Sequence, residues 1–381
     1  MILDLRLSPY FILSTLVFMY SLQRVSSIDL LGMSLAPADI FLLFAVLFFS
    51  KIISIKHLIF SISFCIFLIL IALINDLYAI NSIITVSLKI YFAVSLISLF
   101  DKVTPTNLDY KIAYFYFFLL ILILIIFSEN NPIFNYSLMN PNEGVNYLIA
   151  LWALLSIIQF KRNDRSFLHK NIYILLPGLF ILLVSAFLFT RQGLISLTLF
   201  FWLYALLNKN ISLIKKAIFT TPLIIIIVTA IFILQSLGDY ESQRIETLLT
   251  FDASTRSDQK RLDLIEYGIN GFLYNPMGNG LSSFQANNLI GGVAHNFYIS
   301  SMYELGLIGI FFIGLIVFKA IKNIFNSRRQ KEQLTLIINL ICTVFLFQLL
   351  FIEGLGKIGV FLISGWVLFY SKSNSLQKPK I

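Results

Sequence analysis

The sequence predicts an all-α, polytopic membrane protein of about twelve transmembrane helices, and three observations predict it. Mean hydropathy is +0.88, 58% of the 381 residues are apolar and only 12% are charged, against about 25% charged in a soluble chain. The apolar residues come in runs close to the roughly 17–25 residues that a helix needs to cross a bilayer. The basic residues sit in short clusters between those runs, which is the positive-inside pattern. That pattern accounts for the net charge of +9 without nucleic acid as a partner. The partner it implies is the lipid bilayer, and residues 1–381 read as a single integral membrane domain.

In chain order, the first run (8–23) reads as a membrane helix and not a signal peptide, because a second run follows within about 15 residues. Further spans are expected at 37–53, 58–75, 79–100, 110–128, 143–160, 171–190, 192–208, 217–237, 296–318, 333–352 and 356–371. Twelve crossings put both termini on one side. Twenty of the 28 Lys and Arg lie on that side, seven on the other, and Lys89 lies inside a span. The termini are therefore expected in the cytoplasm, and the loop at 238–295, between spans nine and ten, outside it. Cys65 and Cys342 each lie within an apolar run and read as packing residues.

The loop and the start of the next span (237–309) break the apolar monotony. They hold Arg244, Arg256, Lys260 and Arg261, and seven of the chain's nineteen acids before Tyr267. Connections are usually about 4–6 residues, so a loop this long is functional or disordered. Four of the seven outward basic residues lie here, and Arg191 sits outside too, at the tip of the hairpin Thr190-Arg191-Gln192-Gly193. Orientation does not explain them; an anionic ligand at the outer face does. Two readings stand for Arg191, a snorkelling interfacial residue and a bidentate phosphate ligand. Arg256, Lys260 and Arg261 read either as a solvated face paired with Asp258, Asp263 and Glu266, or as a ligand-binding patch. In the second case Asp263–Tyr274 is an amphipathic helix lying on the membrane, with Arg261 at its start.

Pro276-Met277-Gly278-Asn279-Gly280 is a turn by composition and lacks nucleotide-loop spacing. His57 and His169 lie beside cytoplasmic Lys clusters, which leaves His295, at the mouth of the tenth span and followed by Asn296, as the outward histidine. Glu304 lies about two and a half turns deeper. An intramembrane acid is a functional candidate, and a structural pair with Lys89 is the competing reading. Gly306 and Gly309 are expected to let this span pack closely on a neighbour. No Asp-x-Asp, His-x-x-x-His or Cys cluster is present, so chemistry without a metal or other cofactor is expected.

These residues resemble the O-antigen polymerase and O-antigen ligase superfamily of bacterial surface-polysaccharide assembly. The likeness runs through Asn140-Pro141-Asn142 opening a span, Thr190-Arg191-Gln192-Gly193, Arg261 fifteen residues before Pro276, Gly278-Asn279-Gly280, His295-Asn296-x-Tyr298 and Glu304-x-Gly306-x-x-Gly309. It covers roughly 140–310. Where the family often has a Trp four residues after the loop arginine, Ile265 stands instead, which leaves Arg256 open beside Arg261. The resemblance implies a metal-independent, lipid-linked glycosyltransferase of the bacterial inner membrane. Donor and acceptor would both be oligosaccharides on undecaprenyl pyrophosphate, with room for a chain-length regulator. Arg191 and Arg261 would hold the pyrophosphate and His295 would serve as general base. Arg256, Lys260, Asn296, Tyr298, Asn142 and Glu304 would line the substrate site. A polymerase is the first expectation and a ligase transferring the glycan to lipid A core the alternative. A polysaccharide transporter fits less well, since transporters gather polar groups at the bilayer midplane.

Overall fold

A computed structural model describes residues 8–22, 28–30, 33–35, 38–41, 105–127, 141–161, 167–188, 190–207, 256–280, 283–290, 296–330 and 333–348, with isolated residues between 44 and 70. In order, the elements are α1 (Pro9–Ser21), β1 (Ile28–Leu30), β2 (Met33–Leu35), α2 (Asn107–Phe127), α3 (Pro141–Lys161), α4 (Phe167–Phe187), α5 (Arg191–Leu207), α6 (Arg256–Tyr274), α7 (Ser283–Asn287), α8 (Phe297–Gln330) and α9 (Gln333–Gln348).

The architecture is helical, with one departure from the all-α expectation. β1 and β2 pair antiparallel with Leu30 opposite Met33. Among the described residues, two helices are long and apolar enough to cross a membrane, Asn107–Phe127 and Phe297–Ser327. Pro9–Ser21, Glu143–Gln159, Leu175–Phe187, Gln192–Leu207 and Leu336–Gln348 are apolar but shorter. The expected spans at 79–100, 217–237 and 356–371 lie outside the described residues, as do most of 37–53 and 58–75, and with them Lys89 and Cys65.

Helix starts follow local hydrogen bonding more than hydropathy. Ser8 caps α1, its hydroxyl accepting from the Tyr10 amide at 3.2 Å, and Pro9 occupies the first turn, where a missing N–H costs nothing. α2 opens three residues before its apolar run because Thr106 and Asp109 cap each other. The Asp109 carboxylate accepts from the Thr106 amide at 2.7 Å, and the Thr106 hydroxyl accepts from the Asp109 amide at 3.3 Å.

The core is built around α3. Val145, Leu148, Ile149, Leu151, Trp152, Leu155 and Ile158 are all buried, as in a helix surrounded on all sides. α1, α2, α4, α5 and α9 pack against it. The Trp152 ring meets Phe200 of α5 edge-on at 4.8 Å. On α4 it lies over Gly178, where a methyl group would come within 2.6 Å of the indole.

Contacts also show which helix ends lie together. Gly144 at the start of α3 sits against Leu124 at the end of α2. Tyr20, at the end of α1, donates to the Asp39 carboxylate, and Tyr147 of α3 lies near enough to Asp39 and Glu143 to feel their charge. Ser185 near the end of α4 sits against Gly193 in the first turn of α5. α8 and α9 are joined by two residues, and the Tyr298 hydroxyl, at the start of α8, donates to the Leu346 carbonyl near the end of α9 at 2.6 Å.

Candidate functional site

The site is organised by a break in α8. This helix runs 34 residues, but Gly306 has φ 61° and ψ −144°, a left-handed conformation that favours glycine. A regular helix would join the Leu307 amide to the Tyr303 carbonyl and leave the Glu304 carbonyl to residue 308. Here the Asn275–Gly280 turn takes over both roles. The Leu307 amide donates to Pro276 O at 2.9 Å, the Asn279 amide donates to Tyr303 O at 2.9 Å, and the Gly280 amide donates to Glu304 O at 3.0 Å. The Asn279 side-chain amide adds a second donor to Tyr303 O at 3.1 Å. Asn275 tightens the turn by donating from Nδ2 to Gly278 O at 2.9 Å.

The two backbones touch. A methyl group at Gly306 would lie 2.2 Å from the Pro276 carbonyl oxygen, and one at Gly278 (φ 97°) would lie 2.6 Å from the Glu304 carbonyl oxygen. Gly306 thus lets the span pack closely on a neighbour, as expected, and the neighbour is the turn; Gly309 does not. Gly306 accepts the turn, and a methyl group at Gly309 would meet its own chain, 2.4 Å from the Ser301 carbonyl oxygen.

α6 is carried by that turn. It begins at Arg256, not Asp263, so Arg261 sits in the second turn and not at the start. One face packs on α8: Leu264 and Gly268 lie against Phe284 and Ile299, and Gly271 against the Tyr303 ring. The Tyr267 and Tyr303 rings stack at 5.4 Å with their hydroxyls 3.0 Å apart, and Phe284 meets Tyr303 edge-on at 5.1 Å. Burial, then the bond to Tyr303, pushes the Tyr267 phenol up to about 12, so it stays uncharged at neutral pH. Leu262, Ile269 and Leu273 form a second, exposed apolar stripe.

Lys260 and Arg261 are exposed on α6, and Asp263 accepts a hydrogen bond from Gln259 at 3.0 Å. Asn296 caps α8, its Oδ1 accepting from the Tyr298 amide at 3.0 Å and the Ile299 amide at 3.2 Å. Tyr298 ties α8 to α9 through the bond described above. Glu304 is buried. Arg191 opens α5 behind Thr190, whose carbonyl accepts the first helical bond, from Leu194 at 3.1 Å. Arg256 opens α6 and Asn142 is the second residue of α3. His295 lies outside the described residues.

The structure thus brings Lys260, Arg261, Asn296, Tyr298 and Glu304 onto one packed assembly of α6, the turn and the head of α8. Sequence reasoning missed the positioning roles of Asn279 and Gly306. It also missed five buried side chains in the bundle that carry an atom without a hydrogen-bond partner among the described residues: Asn146, Gln159, Ser185, Ser301 and Gln348. A polar residue inside an apolar run was the signal available for these. No protein-family model matches the chain, and no curated protein matches it.

Proposed function

We propose that this chain is a surface-polysaccharide polymerase of the O-antigen type. It is a metal-independent glycosyltransferase of the bacterial inner membrane, with both termini cytoplasmic. It joins undecaprenyl-pyrophosphate-linked repeat units at the outer face. The observation that carries the reading is the docking of α6, the helix that carries Arg256, Lys260 and Arg261, onto the broken head of an apolar, membrane-length helix. A helix with exposed Lys260 and Arg261 beside an exposed apolar stripe suits a lipid-linked anion at headgroup depth. The break keeps those cations at a fixed height relative to Asn296 and Tyr298, and fixed geometry is what charge stabilisation in a transition state requires.

In this mechanism Arg191 and Arg261 hold the pyrophosphate of the donor. A hydroxyl of the acceptor sugar attacks the anomeric carbon, and the bond from that carbon to the pyrophosphate oxygen breaks. Undecaprenyl pyrophosphate leaves with the bonding pair, its charge matched by the arginines. His295 takes the proton from the attacking hydroxyl. Arg256 and Lys260 add positive charge to the approach, and Asn142 and Glu304 line it.

The test is deletion of the gene followed by gel analysis of lipopolysaccharide. Core capped by a single repeat is the polymerase result. Uncapped core with accumulated lipid-linked polymer is the ligase result and overturns the proposal, as does accumulation of lipid-linked repeats on the cytoplasmic side, the transporter result.

A further inference from the structure

The bundle holds buried amides that satisfy nothing. Among the described residues, neither the nitrogen nor the oxygen of Asn146, Gln159 or Gln348 has a hydrogen-bond partner, and the hydroxyls of Ser185 and Ser301 have none. All five residues are buried, with Ser185 and Gln348 fully enclosed. A buried polar group without a partner is rare and destabilising, so each calls for an explanation.

Their placement supplies one. Asn146 is in the second turn of α3, Ser185 in the last turn of α4 against the Arg191 hairpin, Ser301 in the second turn of α8 and Gln348 at the end of α9. The sequence puts one span, 217–237, between α5 and the loop, so α5 and α8 enter the membrane from the same side. Four of the five orphaned groups therefore lie at the end of the bundle that carries Arg191, α6 and Tyr298. Gln159 alone is at the opposite end of α3. α9 packs on both α3 and α5, which puts the helices bearing the two amides in contact. Their chemistry is uniform and uncharged. A primary amide offers two donors and two acceptor lone pairs, the complement of neighbouring hydroxyls on a sugar ring. A phosphate would instead call for the cations of the hairpin and α6.

We infer that Asn146 and Gln348, with Ser185 and Ser301, are the sugar-binding lining of the site: their unmet hydrogen bonds are completed by hydroxyls of the acceptor oligosaccharide. This rests on the polymerase reading and adds to it the residues that select the glycan.

An orphaned amide that binds ligand and one that does not respond differently to leucine. Removing either relieves the unliganded protein; only removing the first harms binding. The protein is purified in lipid nanodiscs as wild type, N146L, Q348L and the control Q159L, with alanine at the same positions where leucine does not express. Unfolding midpoints are read alone, with the free repeat-unit oligosaccharide released by mild acid from the host's lipid-linked intermediates, and with undecaprenyl pyrophosphate. Polymerisation is read with lipid-linked repeats. All three variants should equal or exceed the wild-type midpoint, by about 2–4 °C for one relieved group. N146L and Q348L should lose the oligosaccharide shift and raise the acceptor KM roughly tenfold or more at little changed kcat, while keeping the undecaprenyl pyrophosphate shift. Q159L should keep everything. If N146L and Q348L behave as Q159L in an active preparation, the sugar lining is wrong and the polymerase reading stands. If the wild type makes no polymer, the polymerase reading fails. The oligosaccharide shift then decides alone: its loss in N146L and Q348L upholds a sugar site, and its absence from the wild type overturns it.

Discussion

The middle of the bundle and its loop-bearing end are held together by opposite means. Around Trp152 the helices are continuous, and contact is between side chains: an indole in a glycine notch on α4, edge-on to Phe200 on α5. At the head of α8 the helix is broken, and contact is between backbones, with three main-chain hydrogen bonds linking the Asn275–Gly280 turn to the break. Side-chain packing is broad and tolerant of repacking. Backbone docking is narrow, since two carbonyls and an amide must meet their partners or stay unpaired. The bundle supplies mass and the docked turn supplies position, and the candidate site is at the second.

The comparison can be broken at either region. The largest effect on stability is expected from Trp152→Ala, at about 3–5 kcal/mol for a buried aromatic, read as a lowered unfolding midpoint with every activity lost together. At the other end, Arg191→Ala and Arg261→Ala should leave the midpoint within the scatter of the wild type and reduce polymer formation about 10²–10³-fold. Lysine should rescue poorly, because the bidentate fork is lost. His295→Gln belongs with them, at about 10²–10⁴-fold. Full-length polymer from both Ala variants at normal expression would move the anion site elsewhere, and an active Gln variant would remove the base role.

Gly306→Ala sharpens the contrast. A side chain at φ 61° facing the Pro276 carbonyl carries strain of about 1–3 kcal/mol. It should free the turn, so limited proteolysis should cut between residues 275 and 280 while the bundle stays folded. Gly314→Ala, with open space around it, is the control and should leave the cleavage pattern unchanged. If Gly306→Ala resists protease equally, the turn is not held by the break. The smallest effect is expected from Tyr298→Phe, which removes one bond, to Leu346, at about 1 kcal/mol. A midpoint unchanged by this substitution would mean that α8 and α9 are held by packing and by the bonds from Asn339 Nδ2 to Asn323 O and Ser327 Oγ, and not by this one.

Much of the bundle was legible because hydropathy alone locates apolar helices: α1, α2, α3, α5 and α9 start within a few residues of the expected spans. The errors lie where other forces set the limits. α2 starts at 107 and not 110 because Thr106 and Asp109 cap it, and a hydropathy window is blind to caps. α6 starts at Arg256 because charged residues propagate a helix as well as apolar ones do. α8 continues through Lys319 and Lys322 to Gln330 for the same reason.

The site was legible in part. Arg261, Asn296 and Glu304 were singled out from type and place and Tyr298 from the family likeness, but the break at Gly306 was not foreseen. Its cause is the turn some thirty residues upstream, and no local pattern encodes that meeting. Gly278-Asn279-Gly280 read as a plain turn, and Gly306 as a packing glycine, when each is the other's partner. Asn146 and Gln348 are amides inside apolar runs, and a hydropathy reading averages such residues away.

The break in α8 has a consequence for how the protein is made. The turn leaves the ribosome before the helix it completes, yet the Tyr303 and Glu304 carbonyls and the Leu307 amide find their partners only when loop and helix head are on the same side of the membrane. Until then three main-chain groups are bare in or near lipid, a state costing several kcal/mol per group. A chain whose loop fails to cross cannot hide that defect by repacking elsewhere. On the proposed topology, export of the loop is thereby coupled to completion of the α8 head, through three main-chain bonds.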